Sequence, residues 1–225
     1  MAIVTDEDNR KAKLEFIEIF FKDLESKIAF LNDLYSSERK DEAKVLCSCY
    51  IDALANNRYW PDERSNYNFV RLLQEYCKEE IISYIHPKML GDALLQKRGR
   101  TWRDINNKIS EALQKSRGRF YSGTEMLDIL SPLVTAAELE KIKEELWRGT
   151  YAAIIYSRMR VPSVHGLGTA DGITFDNTTF KDQPVPPIEF PMLYEFIKGI
   201  EPELRRLSLE TEKWFGHDYE IEEEA

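Results

Sequence analysis

Residues 14–35, LEFIEIFFKDLESKIAFLNDLY, carry the pattern that decides the fold of this chain. Apolar side chains recur there at alternating steps of three and four, the spacing that lines one side of an α-helix. The members of this apolar stripe are Leu14, Ile17, Phe21, Leu24, Ile28, Leu31 and Tyr35. Phe16, Ile19 and Phe20 widen the stripe, which indicates burial against more than one neighbour rather than a two-stranded coiled coil. The pattern predicts a long packing helix from Asp6 to about Ser36.

Periodic apolar residues predict five more helices along the chain. A capping box, in which Thr135 precedes Glu138 by three residues, marks the start of the fourth of these helices. Pro162 ends or kinks that helix, because proline removes a backbone donor and clashes with the preceding turn. The expected ranges are 43–54, 67–85, 102–114, 136–160 and 191–207.

The stretch ITFDNTTF, residues 173–180, has a different texture from the helical segments. Its β-branched and aromatic residues surround Asp176-Asn177, a pair suited to a turn, and this arrangement predicts a small β-hairpin. Three prolines, Pro184, Pro186 and Pro187, then form a connector to the last helix.

These elements predict a mainly α fold, a bundle of about five to seven helices with a small β-hairpin insertion before the last helix. We expect a single helical domain over residues 1–217, in which 166–190 form the hairpin and connector. Residues 218–225 are rich in glutamate and are expected to form an acidic tail. A chain of 225 residues with 43% hydrophobic content is long enough to bury its own core.

The composition limits the classes of function. A formal charge of -9 argues against a protein that coats nucleic acid indiscriminately, since such proteins carry a broad positive field. The start, MAIVTDEDNR, is too acidic for a signal peptide, and no run approaches the ~18 apolar residues of a membrane span. We therefore expect a cytoplasmic protein with no membrane partner. The three cysteines are expected to be reduced, and no motif indicates a metal or another cofactor.

The charge reverses between Lys97 and Arg119, where eight Lys and Arg residues stand against two acidic ones. In an acidic chain, such a segment is a local place to bind phosphate. The candidate RNA-binding residues are Arg98, Arg100, Arg103, Arg117 and Arg119. Trp102, Phe120 and Tyr121 add surfaces on which unpaired bases could stack. The alternative is a solvated face whose cations pair with the surplus carboxylates of the chain.

The stretch RVPSVH, residues 160–165, places a fixed cation beside a titratable base. Arginine can hold a phosphate through two parallel hydrogen bonds and imidazole moves a proton near neutral pH, as metal-free RNA cleavage requires. Positions five apart on an unbroken helix are separated by about 140°, so a break is needed, and Pro162 supplies it. Arg158, seven residues before His165, is the alternative phosphate clamp. The candidate catalytic residues are His165, Arg160 and Arg158.

An arginine followed by four to six residues and a histidine, late in a helical domain, resembles the signature of the HEPN superfamily. The resemblance rests on CYIDAL, residues 49–54, and on YSRMRVPSVHG, residues 156–166. It implies a metal-independent endoribonuclease of a toxin-antitoxin or phage-defence type system. His165 would then transfer a proton to or from the reacting oxygens, and Arg160 would stabilise charge on the phosphate. The resemblance also implies a homodimer and an antitoxin-like protein partner.

Two hypotheses from different classes remain. The first is the endoribonuclease. The second is a catalytically inactive helical module that binds a protein partner or a nucleotide, motivated by Val161, where active family members often carry a polar residue. A purely structural role for the pair is a further alternative, in which Arg160 pairs with a carboxylate and His165 satisfies the end of a helix by hydrogen bonding.

Overall fold

The computed structural model describes residues 6–160 and 173–217, with the Arg160 side chain excepted. Within these ranges the chain forms nine α-helices and one two-stranded antiparallel hairpin before the last helix, so the mainly α prediction is confirmed. None of the helices in these ranges is long and apolar enough to cross a membrane. The helices are α1 (Asp6–Ser36), α2 (Lys40–Arg58), α3 (Ser65–Tyr76), α4 (Pro87–Leu95), α5 (Arg100–Lys115), α6 (Gly123–Leu130), α7 (Ala136–Lys143), α8 (Tyr151–Ile155) and α9 (Phe190–Thr211).

The described chain divides into two compact units. Unit 1 consists of residues 6–68 and 190–217, and unit 2 consists of residues 69–189 without the gap at 161–172. The expectation of a single domain over 1–217 stays a prediction. The predicted start of the hairpin insertion at 166–172 and the predicted acidic tail at 218–225 lie outside the described residues.

Unit 1 is built from α1, α2 and α9, which pack against one another. The predicted first helix is confirmed. Most of its apolar stripe is buried, while Leu14 and Tyr35 at the two ends of the stripe are partly exposed. Tyr35 stacks on Phe190 at the start of α9, with ring centroids 4.5 Å apart. The expectation that Phe16 and Ile19 widen the buried face is wrong, because they are 60% and 61% exposed. The Trp214 ring lies next to Phe16, with ring centroids 5.2 Å apart, but leaves most of the Phe16 side chain in solvent.

Unit 2 has its own apolar core between α4, α5, α6 and α7. The core residues are Ile85, Leu90, Leu94, Ile105, Ile109, Leu113, Tyr121, Met126, Leu130 and Ile142. Two capping boxes start the shorter helices of this unit: Ser122 caps α6 with Glu125, and Thr135 caps α7 with Glu138. The capping box predicted at Thr135 is therefore confirmed.

The helix predicted over 67–85 is shorter than expected. It ends at Tyr76, a 3-10 turn covers Glu80–Ser83, and Ile85 is extended, exchanging backbone hydrogen bonds with Tyr121. Pro87 starts α4 instead of merely ending the preceding helix. Proline suits the first helical position, where its missing N–H would have no partner.

The single helix predicted over 136–160 is broken into four pieces. After α7 come a 3-10 turn at Leu146–Gly149, the short α8 and a π-helical segment at Tyr156–Arg160. The hydroxyl of Thr150 caps α8 by accepting a hydrogen bond from the Ala153 N–H at 3.2 Å. The continuous apolar pattern concealed this break because every piece of the segment is packed on the core.

The predicted hairpin is confirmed, but its predicted turn is wrong. The strands are β1 (Thr179–Phe180) and β2 (Gln183–Pro184), and Lys181 and Asp182 form the turn with φ of 49° and 60°. Asp176-Asn177 makes a separate turn before β1. Thr179 is held in place from outside the hairpin, because its carbonyl accepts a hydrogen bond from the Phe120 N–H at 2.9 Å.

Candidate functional site

The basic segment is organised around α5. Ile105, Ile109 and Leu113 bury one side of this helix in the unit 2 core, so its charged residues are left on the solvent side. Gly99 precedes the helix with φ of 109°, a conformation that glycine adopts without strain. The segment is therefore a helix with a loop at each end, as its glycines indicated.

All three lysines of the segment form ion pairs. Lys97 Nζ lies 2.6 Å from Glu145, Lys108 Nζ lies 2.8 Å from Glu138, and Lys115 Nζ lies 2.7 Å from Glu111. The alternative interpretation, in which the cations pair with carboxylates of the chain, is correct for these lysines.

Arg119 is also engaged within the protein. One of its guanidinium nitrogens lies 3.2 Å from Glu125, and the guanidinium covers the Tyr121 ring at 4.3 Å. Of the five predicted RNA-binding arginines, Arg119 is thus the one with an ion pair to a described residue.

The other four predicted RNA-binding arginines, Arg98, Arg100, Arg103 and Arg117, are exposed. Their side chains make no hydrogen bond or ion pair with any described residue. Arginines elsewhere behave differently, since each of the following contacts a carboxylate: Arg10, Arg39, Arg64, Arg71, Arg148, Arg205 and Arg206. Guanidinium groups that remain available to a ligand are therefore concentrated around α5.

Two of the three predicted stacking surfaces are covered. Phe120 is buried, and its ring packs edge-on against His86 at 5.1 Å, with Phe175 and Tyr151 also in contact. Tyr121 is buried beneath Arg119. Trp102 is half-buried against the core, with Lys97 over its ring at 5.6 Å. The expectation that Phe120 and Tyr121 stack on bases is wrong, because the hydrophobic effect places both rings in the core.

His86 is a buried titratable group that lies close to this segment. It occupies the position before α4, as expected of a packing histidine. Burial lowers the pKa of His86, and the nearby Lys88 ammonium lowers it further. The Asp92 carboxylate and a hydrogen bond with the Arg117 backbone act in the opposite direction. The neutral imidazole is consequently favoured in the folded protein.

Of the predicted catalytic residues, Arg158 and the backbone of Arg160 lie in the π-helical segment that directly follows α8 in unit 2. Arg158 is exposed in the π-helical segment Tyr156–Arg160, and its side chain makes no ion pair with any described residue. The same segment is anchored by Met159, which is buried, and by Tyr156, whose ring meets Phe69 at 5.2 Å. Segments of π-helix are rare and are frequent at functional sites.

The backbone of Arg160 closes this π-helical segment. His165 and Pro162 lie outside the described residues, so the pairing of His165 with Arg160 or Arg158 stays a prediction. The π-helical geometry was missed by sequence reasoning, because no residue type or spacing marks it in a continuous apolar pattern.

Charge is divided unevenly between the two units. The sequence of 69–189 contains 17 Lys and Arg residues and 16 Asp and Glu residues, a net charge of +1. The remaining residues, 1–68 and 190–225, contain 14 and 24, a net charge of -10. The overall acidity of the chain therefore belongs to the sequence of unit 1 and does not oppose anion binding by unit 2 as strongly as the total charge suggested.

Cysteine and metal chemistry is limited in the described ranges. There, no group of three or more His, Cys, Asp and Glu side chains could hold a metal ion. The three cysteines are free thiols, and burial raises the pKa of Cys47 and Cys77. These two thiols stay protonated at neutral pH and are poor nucleophiles.

Comparison of the chain with protein-family models, with curated proteins and with solved structures finds no match. Function is therefore inferred from residues of the chain itself, above all from the arginines around α5 and from the π-helical segment that contains Arg158 and the backbone of Arg160.

Proposed function

We propose that this chain is a HEPN-like, metal-independent endoribonuclease of a toxin-antitoxin or phage-defence type. The observation that carries the proposal is the exposure of Arg98, Arg100, Arg103 and Arg117 without carboxylate partners among the described residues. Binding RNA there breaks no ion pair with a described residue, so the phosphate contact is gained without losing one of those pairs. The near-neutral charge of the unit 2 sequence supports the same ligand.

The reaction in this proposal needs only side chains of the chain. The ribose 2′-oxygen attacks phosphorus while the bond from phosphorus to the 5′-oxygen breaks, which leaves a 2′,3′-cyclic phosphate and a 5′-hydroxyl. His165 accepts the proton of the 2′-hydroxyl or donates one to the departing 5′-oxygen. Arg160 stabilises the charge that develops on the phosphate, and Arg158, exposed in the same helical segment, can hold a neighbouring phosphate.

The family resemblance makes a cytoplasmic homodimer part of the proposal, with the motifs of two copies facing one cleft. Sedimentation of the purified protein measures its oligomeric state. A dimer of about twice 26.4 kDa is expected. A monomer at the concentrations at which RNA is cleaved would contradict the shared cleft.

Cleavage in EDTA tests the proposed activity. The wild-type protein should cleave single-stranded RNA and leave cyclic phosphate ends, and His165→Ala should lower the rate by at least about a hundredfold through loss of proton transfer. Arg160→Ala should have an effect of similar size, because it removes charge stabilisation. Arg206→Ala is the matched control, since Arg206 is an exposed arginine of unit 1 paired with Glu203 and Glu210. Equal rates for His165→Ala and the wild type would remove His165 from the mechanism.

A non-catalytic module that binds a protein partner is the alternative function. It is favoured by the solvent-facing side of α1, where Phe16, Ile19 and Phe30 are 60%, 61% and 51% exposed. Large exposed apolar residues grouped on one helix face are typical of protein contact sites. RNA that stays intact in EDTA and in Mg²⁺, although the protein binds it, would support this alternative over the endoribonuclease.

A further inference from the structure

One face of α5 combines arginines with neutral polar residues. The residues of this face follow one another along the chain at steps of three and four. Because each residue advances about 100° around the helix axis, those that lie within α5 fall in one sector of about 80°. Arg117 continues the spacing into the turn after the helix. All are exposed, and we call them the α5 stripe: Arg100, Arg103, Asn107, Ser110, Gln114 and Arg117.

The α5 stripe contains no carboxylate. The two acidic residues of the helix, Asp104 and Glu111, lie to one side of it, together with Lys108 and Lys115. Lys115 pairs with Glu111 at 2.7 Å on that neighbouring face. The side chains of the stripe itself make no hydrogen bond with described residues. The face therefore offers guanidinium donors at its ends and amide and hydroxyl groups between them.

A groove of about 180 Å³ between α4 and α5 borders the middle of the stripe. Ser110 and Gln114 form part of its wall, and Leu113 and the exposed Leu95 supply apolar surface. Lys88 and Asp92, which pair with each other at 2.9 Å, line its α4 side. Apolar surface beside amide and hydroxyl groups matches a nucleobase, which has flat faces and an edge of donors and acceptors.

We infer that the α5 stripe is a track for one unpaired RNA strand, with phosphates on the arginines and base edges over the neutral middle. This inference rests on the proposed function for its ligand. Charge complementarity selects a polyanion, because these arginines make no ion pair with a carboxylate of the described residues. A single strand fits better than a duplex, since the base edges of an RNA duplex are closed to side chains in its deep, narrow major groove.

The length of the stripe sets the length of RNA that covers it. Fourteen residues separate Arg100 from Gln114, which is about 21 Å at 1.5 Å per residue. A stacked strand advances about 3.4 Å per phosphate, so about six nucleotides span the stripe. A trinucleotide reaches only one end.

Binding of fluorescein-labelled 2′-O-methyl RNA tests the track separately from cleavage, because the blocked 2′-oxygen cannot react. A 12-nucleotide strand should bind at least about tenfold more tightly than a trinucleotide. Arg103→Gln and Gln114→Glu should each weaken binding of the 12-mer about fivefold. Lys108→Gln and Lys115→Gln make the same change of charge on the neighbouring face of the same helix and should change binding less than about twofold.

The track is contradicted if the stripe variants and the lysine controls lose affinity for the 12-mer equally. It is also contradicted if the protein binds the 3-mer and the 12-mer with equal affinity. Tighter binding of polyglutamate than of the 12-mer would assign the surface to an acidic protein instead. Asn107→Glu, at an exposed helix position, repeats the test if another variant fails to fold. If the protein cleaves RNA in EDTA but the stripe variants bind the 12-mer as tightly as the wild type, the track is contradicted and the proposed reaction is not. If binding depends on the stripe but no RNA is cleaved, the proposed reaction is contradicted and the track is not.

Discussion

At the scale of single residues, the burial of His86 makes the free energy of unfolding depend on pH. Its ring lies in an aromatic environment formed with Phe120, and burial together with Lys88 lowers its pKa. A histidine whose pKa is lower in the folded than in the unfolded chain binds fewer protons when folded. Folding is therefore opposed by protonation as the pH falls through about 6.5, the unfolded value.

We expect the free energy of unfolding to decrease between pH 7.5 and pH 5.5, and to decrease less in His86→Phe. Urea unfolding of both proteins at several pH values measures the difference. Burial raises the pKa of Glu201, which gives the opposite trend, but that trend is common to both proteins and cancels in the comparison. If the free energy of unfolding changes with pH in the same way in both proteins, the His86 imidazole does not cause the decrease.

At the scale of elements, the 3-10 turn Leu146–Gly149 packs directly on α4. A Cβ at Gly149 would lie 2.7 Å from Leu90 Cβ and 2.9 Å from Ile85 Cγ2. These distances are shorter than any relaxed carbon contact, and both partners belong to the core. The absence of a side chain at Gly149 is what lets the turn reach the helix.

Gly149→Ala should lower the free energy of unfolding by about 1–3 kcal/mol, because the added methyl group forces core atoms apart. Gly199→Ala is the control: it lies inside α9, where a Cβ meets open space, and should raise the free energy of unfolding by about 0.5–1 kcal/mol. Urea denaturation of the three proteins checks both signs. A neutral Gly149→Ala would mean that α4 and the turn can separate at little cost.

At the scale of the whole molecule, the sequence of unit 1 carries the acidic surplus, and unit 2 carries the α5 stripe, whose arginines make no ion pair with a described residue. Binding of a strand to the three arginines of the α5 stripe displaces counterions from the RNA, and the affinity then depends on salt. The logarithm of the association constant should fall with the logarithm of salt concentration with a slope of about -2 for a single strand.

Titrations of 2′-O-methyl RNA from 50 to 300 mM salt measure this slope. Arg103→Gln should make it shallower by about 0.7, the share of one phosphate contact. A slope near zero in the wild-type protein would contradict phosphate binding by these arginines, whatever the affinity at one salt concentration.

Local patterns were enough to predict the mainly α class, the helix Asp6–Ser36, the capping box at Thr135 and a hairpin before the last helix. Each depends on residues within a few positions of one another, so the sequence carries the information directly. The breaks within 136–160 could not be read in the same way. They depend on contacts such as that of Gly149 with Leu90, which is distant in sequence.

The sequence by itself also determined where cationic side chains concentrate, but only the tertiary structure decided which of them are available. Lys97 pairs with Glu145, 48 residues away, and Lys108 pairs with Glu138, 30 residues away. Arg100, Arg103 and Arg117 meet no such partner among the described residues. An ion pair needs two groups within about 4 Å, and for residues this far apart in sequence it is folding that sets the distance.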